Sequence, residues 1–221
     1  EEDFFFDSVA TDSRSAVAGG MFIPLVGEFQ DGHGYIPAAL EKGVSVILVN
    51  RDFAASSLDQ IREWHHLYPT VTFVAVDHTM YGLQAMAAAY VKKFPQLIRI
   101  GITGSSGKTT TKEILASLLS TRFDVVMNKG NLNSETGLPL SCFEIRSHHQ
   151  VGVFELGMNR KGEMAEIAGV LSPSLGVITN IGSAHIGILG SKDGIAQEKK
   201  QIFSNFSKDS VAFIPSMDSY K

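Results

Sequence analysis

The apolar positions of the chain fall into short runs separated by glycines, polar turns and amphipathic stretches, and the pattern changes near residue 77. Before that point, residues 21–26, 44–50 and 71–76 are mostly apolar and rich in β-branched side chains, which predicts strands. A helical stretch over residues 35–42 separates the first two, and residues 51–67 are expected as loop and helix. Trp64, His65 and His66 in that segment could pass for a metal or stacking site. Adjacent histidines on a helix do not face one partner, however, so all three read as surface residues.

From Asp77 the period lengthens. Leu83, Met86, Ala87, Tyr90, Val91 and Phe94 recur at helical spacing, and Pro95 ends the helix. A domain boundary is therefore expected near Asp77-His78, with a small α/β domain over residues 1–77 and a second domain over residues 78–221. In the second domain, runs at residues 98–102, 123–127, 151–155, 175–179 and 211–215 alternate with helices that include residues 108–119, 162–170 and 191–203. Such βαβα order predicts an α/β fold with a mainly parallel sheet, whose ligands bind at the carboxyl ends of the strands. The polar residues there are the candidates for chemistry: residues 128–136, Glu155, Asn159, Asn180 and His185.

One of these ends carries the most specific signal. After the run at residues 98–102, the chain breaks into Gly104-Ser105-Ser106-Gly107, and Lys108-Thr109-Thr110 opens a helix. A strand, a glycine-rich turn and a helix N-terminus form an anion site of the P-loop ATPase type. Backbone N–H groups point at the phosphate, and Lys108 adds a mobile cation. Ile102 stands where the usual pattern has its first glycine, so Gly104 takes over the turn. Thr109 or Thr110 would offer a hydroxyl to a phosphate-bound Mg²⁺, and a carboxylate at Glu155 could complete that hard-cation shell. Read without that context, Glu155 is a solvated strand-end glutamate. His185 could bind metal or orient a phosphate, while Lys199 and Lys200 lie on a helix, where lysine is normally solvated.

Composition narrows the class. At 221 residues the chain can hold one large or two modest domains, and 44% hydrophobic with 19% charged residues is ordinary for a soluble protein. A net charge of -4 without any Lys/Arg block leaves no footprint for nucleic acid. The single cysteine, Cys142, excludes an internal disulfide, fits the reducing cytoplasm, and reads as a buried, inert thiol within the apolar run 138–145. No run approaches the roughly 20 apolar residues of a membrane span, so membrane insertion is not expected. The acidic Glu1, Glu2 and Asp3 before Phe4, Phe5 and Phe6 are in the wrong order for a secretion signal. The chain begins without Met and stops at Lys221 with no closing element, so a fragment of something longer is expected.

Two polar clusters of the first domain lack a packing explanation. Thr11-Asp12-Ser13-Arg14 sets carboxylate, hydroxyl and guanidinium side by side. Asp31-Gly32-His33-Gly34 precedes an expected helix, where N–H groups and a histidine could meet a diphosphate. Read alone, each is an N-cap plus a turn.

Taken in order, these motifs resemble those of the Mur ligases, the ATP-dependent amide-bond formers of peptidoglycan synthesis, over nearly the whole chain. Asp12-Ser13-Arg14 and Asp31-Gly32-His33 look like the motifs by which that family's N-terminal domain holds the UDP part of the acceptor. Thr103-Gly104-Ser105-Ser106-Gly107-Lys108-Thr109-Thr110 resembles its ATP loop. Asn131-Leu132-Asn133, followed by Gly137-Leu138-Pro139, is similar to a substrate-side loop. Glu155-Leu156-Gly157-Met158-Asn159 looks like a second-magnesium strand, and Thr179-Asn180 with His185 and then Ile195-Ala196-Gln197-Glu198-Lys199 completes the series.

The resemblance implies ATP and Mg²⁺ as cofactors, and UDP-N-acetylmuramoyl-tripeptide and D-alanyl-D-alanine as substrates. It implies Lys108, His185 and Lys199 as catalytic residues, with Thr109, Glu155, His185 and a carbamylated Lys199 around metal. Two features depart from the family pattern: Lys200 stands beside the expected lysine, and the family's C-terminal domain is absent. A folylpolyglutamate-type ligase shares the ATP loop, though the clusters at residues 12–14 and 31–33 are not expected in it. A nucleotide-gated binding module without turnover is the non-enzymatic alternative.

Overall fold

A computed structural model describes residue 6 and residues 8–216, and its contacts divide the chain into the units Glu1–Ala85 and Met86–Lys221. The acidic residues Glu1 to Asp3, Phe4 and Phe5, and the end at Lys221 lie outside the described residues.

The first unit is built on a four-stranded parallel sheet in sequence order: β1 (Val9–Ala10), β2 (Met21–Phe22), β3 (Val46–Asn50) and β4 (Thr72–Val76). Helices α1 (Ile36–Glu41), α2 (Arg51–Ser56) and α3 (Leu58–Leu67) connect these strands. Phe22, Ile36, Leu40, Ile47 and Val49 form the centre of the core. Two expectations are corrected here. The strand expected over residues 21–26 is only two residues long, because Pro24 has no N–H for a ladder. Val26 instead bridges to Asp31 and closes a turn in which Gly27 N–H donates to Gln30 O. Residues 51–67, expected as loop and helix, are helical except at Ser57. Trp64 is not a surface residue: it is 9% exposed and lies between the rings of Phe53 and Phe73, with centroids 6.4 and 6.2 Å away. Its neighbours His65 and His66 are exposed.

Helix α4 (Thr79–Val91) starts just after Asp77-His78, and the contacts divide the chain in its middle, between Ala85 and Met86. The second unit then alternates β5 (Ile98–Thr103), α5 (Lys108–Leu119), β6 (Val125–Met127), α6 (Gly137–Cys142), β7 (Val151–Glu155), α7 (Glu163–Leu171), β8 (Leu175–Ile178), α8 (Ile186–Leu189), α9 (Lys192–Lys200) and β9 (Val211–Phe213). All five strands are parallel, in the order β6-β7-β5-β8-β9. Strand alternation sorts the core. Ile100, Ile102, Val151 and Val153 pack with Ala116 of α5, whereas Phe154 joins Met164, Ile167 and Leu171 of α7 and Ala87 and Val91 of α4. Cys142 is fully buried in that second cluster, and burial pushes its thiol up to about 12. Among the described residues no helix is long and apolar enough to cross a membrane.

The strand order matters for function. After β5 the chain crosses to β6 and β7 on one side and later to β8 and β9 on the other. The carboxyl end of β5 is thus a topological switch point, where an open parallel sheet leaves a crevice for ligand.

Candidate functional site

That crevice is filled by the loop between β5 and α5. Gly104 has φ +154°, and a Cβ there would come within 1.9 Å of Thr179 Oγ1, so only glycine lets the loop lie against the residues after β8. Gly107 caps α5 with φ +77°. Asn180 organises the loop. Its backbone oxygen accepts from Ser105 N–H and its side-chain oxygen from Ser106 N–H, both at 3.1 Å. The Asn180 amide donates to Ser106 Oγ at 2.8 Å, Thr179 Oγ1 donates to Ser106 O at 2.6 Å, and Gly182 N–H donates to Ser105 Oγ at 2.8 Å. Lys108 folds back so that its ammonium donates to Gly104 O at 3.1 Å. A strand, this turn and a 12-residue helix that begins at Lys108 follow one another in the order expected from the sequence pattern.

Glu155 ends β7, the neighbour of β5, and is 2% exposed. Thr109 Oγ1 donates to its Oε2 and Asn133 Nδ2 to its Oε1, each at 2.7 Å. The hydroxyl that reaches the carboxylate is therefore that of Thr109. Asn128 holds the backbone of the same residue: Glu155 N–H donates to Asn128 Oδ1 at 2.9 Å, and Asn128 Nδ2 donates to Glu155 O at 3.0 Å and to Leu132 O at 2.8 Å. Among the described residues no ion pair neutralises Glu155. A carboxylate withdrawn from water and held by neutral donors favours a cation beside it. No cluster of three His, Cys, Asp or Glu side chains is gathered among the described residues. The Glu155 carboxylate and the Thr109 hydroxyl are hard oxygens of the kind Mg²⁺ takes, one or two at a time, with the rest drawn from phosphate and water.

His185 and Lys199 form a second group, around Lys108. His185 caps α8 in the left-handed conformation, φ 67°, which is unusual for a side chain with a Cβ and marks a constrained position. Burial, then Lys199 and Lys108, hold its imidazole below the ordinary value, with Glu163 opposing. Lys199 is 1% exposed on α9, and burial followed by the charge of Lys108 brings its ammonium down to about 8, with Glu198 opposing. Lys200, one position on, is exposed. The buried Glu198 fixes this end of α9 by accepting Met164 N–H at 3.1 Å.

The first unit has its own cleft of roughly 490 Å³, lined by Thr11, Asp12, Ser13, Arg14, Leu25, Gln30, Gly32 and Tyr35. Arg14 Nε and Nη2 donate to the Asp12 carboxylate, at 3.0 and 2.6 Å. The hydrogen bonds from the Arg14 side chain and backbone hold the Asp12 carboxyl down at about 2. Ser13 and Arg14 line this cleft. His33 does not line it. Its ring is 2% exposed, stacks on Phe53 with centroids 4.2 Å apart, and spends both nitrogens inside the fold. Nε2 accepts Asn50 N–H at 3.0 Å, so the proton sits on Nδ1, which donates to Asp31 Oδ1 at 2.5 Å.

Of the substrate-side asparagines, Asn133 joins the site through Glu155, while Asn131 is exposed and touches this network only through its backbone, as acceptor of Asn133 N–H at 2.8 Å. The sequence reading did not single out Lys112, or Leu25, Gln30 and Tyr35 of the cleft. Arg160 was missed as well; its guanidinium ties Glu135 of the 131–136 segment to Glu166 of α7.

Residues 102–221 match the Mur ligase middle domain. Over 98% of its length the chain is 49% identical to the UDP-N-acetylmuramoyl-tripeptide–D-alanyl-D-alanine ligase of Treponema pallidum (strain Nichols), of which it covers 46%. It is similar to the crystal structure of MurF from Acinetobacter baumannii, with TM-score 0.85 at 35% identity, over 96% of this chain and 44% of that one. The MurF ligase of Thermotoga maritima in complex with ADP gives TM-score 0.82 at 29% identity, over 99% and 48% of the two chains. The chain thus spans about half the length of the relatives it matches.

Proposed function

Because the chain belongs to the Mur ligase family, we propose that it is the N-terminal and central part of an ATP-dependent ligase of peptidoglycan precursor synthesis, one that joins D-alanyl-D-alanine to UDP-N-acetylmuramoyl-tripeptide. The observation that carries this reading is the convergence of Thr109 and Asn133 on the buried, unneutralised Glu155 beside a phosphate loop. Residues 1–77 are assigned the uridine-linked acceptor, with Ser13 and Arg14 of the cleft around it and the buried His33 bracing the adjoining turn through Asp31, and residues 78–221 the ATP. The cytoplasm, which supplies both nucleotides, is the assigned compartment.

Glu155 and Thr109 would hold a magnesium ion, with His185 and Lys199 at a second position. Bound there, magnesium would draw charge from the phosphate oxygens and lower the barrier to phosphoryl transfer. The chain's own residues do the rest. Gly104, Ser105, Ser106 and Gly107 would wrap the polyphosphate, with the Ser105 and Ser106 N–H groups turning to it from Asn180, and Thr110 stands on the first turn of α5, whose dipole favours it. Lys108 would leave Gly104 O for the γ-phosphate.

The terminal carboxylate of the acceptor then attacks phosphorus: a carboxylate O–P bond forms, the bond to the ADP oxygen breaks, and an acyl phosphate results. The D-alanyl-D-alanine amine attacks the acyl carbon, and the tetrahedral intermediate expels inorganic phosphate as the amine loses its proton. No protein nucleophile is required, so positioning and charge neutralisation dominate. Asn131 and Asn133 border the space where the acceptor peptide would lie.

The test is phosphate release by the full-length protein, which should require ATP, UDP-N-acetylmuramoyl-tripeptide and D-alanyl-D-alanine together. Release with a folate and glutamate instead would favour the folylpolyglutamate-type alternative. Nucleotide binding without release under any of these conditions would favour a binding module.

A further inference from the structure

Among the described residues of the second unit two lysines are almost wholly buried, Lys112 and Lys199, and the reading above uses only Lys199. Lys112 Nζ donates to Asn128 O at 2.7 Å and lies 3.1 Å from the half-exposed carboxylate of Glu113. Burying an ammonium is costly unless its donors are used, so a lysine kept at this position does something an apolar side chain would not. Its register shows what. Thr109 and Lys112 are three residues apart on α5 and share a face, and that face meets the carboxyl ends of β6 and β7. Thr109 reaches the Glu155 carboxylate, and Lys112 reaches the backbone of Asn128, whose side chain grips Glu155 N–H and O. Asn128 also holds Leu132 O, and Asn133 follows directly with its amide on Glu155 Oε1.

We propose that Lys112 is a positioning residue of the site: it anchors the segment from Asn128 to Asn133 to α5, so that Asn133 and Thr109 meet the two oxygens of Glu155. The inference rests on the reading of Glu155 as the carboxylate that takes the divalent ion. The choice of acceptor matters. An ammonium paired directly with Glu155 would neutralise the carboxylate and compete with a metal ion, whereas Lys112 braces the segment through a backbone carbonyl and leaves that charge free. Methionine would fill a similar volume yet leave Asn128 O without this donor.

The experiment uses the full-length protein and Mn²⁺ as the probe, titrated in the presence of ADP and followed by electron paramagnetic resonance, alongside amide exchange by mass spectrometry. In Lys112→Met, Mn²⁺ affinity should fall by about 10- to 100-fold. Exchange over residues 129–133 should quicken at least about tenfold, as expected for a segment that has lost an anchor. Metal-free ADP affinity should stay within about twofold, since the phosphate loop keeps its own contacts, and Lys112→Arg should recover part of the loss. Unchanged Mn²⁺ affinity and unchanged exchange in Lys112→Met would overturn the proposal. Should Lys112→Met not fold, Lys112→Gln, which keeps an N–H donor, takes its place; failure of both to fold would overturn positioning in favour of a purely structural role. Glu155→Gln is measured in parallel. If it binds Mn²⁺ as the wild type does, the metal reading itself fails, and the exchange rates alone decide on the brace.

Discussion

Thr109 Oγ1 donates a hydrogen bond of 2.7 Å to Glu155 Oε2, joining the first turn of α5 to the carboxyl end of β7. The two residues are 46 positions apart in sequence, yet the strand order sets β7 directly beside β5, from which the phosphate loop and α5 follow. A hydroxyl and a carboxylate at that spot are hard oxygens on the two walls of one crevice. Removing the hydroxyl alone should therefore separate chemistry from folding. Thr109→Val keeps the shape, and its denaturation free energy should fall by only about 1–2 kcal/mol, because Glu155 retains Asn133 and its backbone bonds. Turnover of the full-length enzyme should fall at least about tenfold, and Thr109→Ser should restore most of it. Full turnover in the valine variant would remove Thr109 from the site.

Arg14 is the corresponding probe of the first unit. Its ion pair with Asp12 is exposed, with side-chain exposures of 89% and 46%, so it adds little to stability. Arg14→Ala should leave the melting temperature unchanged while weakening UDP-N-acetylmuramoyl-tripeptide about tenfold, the loss of one charge-assisted contact. A second readout has a definite sign. Arg14 holds the Asp12 carboxyl at about 2, so the pair is intact above the ordinary value of 3.8 and is lost as pH falls through about 2. In Arg14→Ala the Asp12 titration, followed by NMR, should move up toward 3.8. An unmoved titration would mean that the guanidinium does not hold Asp12 in solution.

His33 separates two accounts of the Asp31-Gly32-His33 motif. From sequence the ring is expected near a diphosphate; in the fold it is buried, and both its nitrogens are committed to Asp31 and Asn50. His33→Ala should cost about 3 kcal/mol through the cavity left against Phe53 and the loss of the Asn50 N–H acceptor. ADP affinity, assigned above to the second unit, should not change. A variant of normal stability that loses uridine-nucleotide affinity would return the ring to the ligand.

What the sequence could disclose follows from how local each signal is. The segment from Ile98 to Leu119 is legible because an apolar strand, a glycine turn and a helix start adjoin one another, and no distant partner is needed to read them. β1 is only Val9–Ala10 and leaves no periodicity to detect. α2 has no buried residue, so no amphipathic stripe marks it. Trp64 was misplaced because the polar histidines beside it outweighed a single large apolar side chain. α6 contains Pro139, a poor helix signal, yet the proline falls in the first turn, where a missing N–H costs nothing. Glu155 and Thr109 were nameable singly from their strand-end and loop positions. The Lys112–Asn128 contact was not, since a lysine one turn into a helix looks solvated until the loop after β6 closes over it.

Lys199 carries the final expectation, that it is a carbamate in the working enzyme. Its position on α9 separates it from Lys200 by about 100° of helix rotation, so only one of the two can face the site. Lys199 is the buried one, grouped with Lys108 and His185, while Lys200 faces solvent. A free ammonium here would stand against Lys108, like charge beside like in a buried setting, and would repel any metal ion. Reaction of the neutral amine with CO₂ forms an N–C bond and releases one proton to water, leaving a long-armed carboxylate with the hard oxygens that Mg²⁺ prefers. The negative charge would then balance Lys108 instead of opposing it. Lys199→Ala in the full-length enzyme should lose about a hundredfold in turnover, with partial rescue by added formate or acetate. Lys200→Ala should stay within about twofold, as an exposed side chain away from the site. Protein equilibrated with ¹³C-bicarbonate should show one carbamate carbon by NMR in wild type and none in Lys199→Ala. Full activity in Lys199→Ala together with loss in Lys200→Ala would move the assignment one residue along the helix, against the burial seen here.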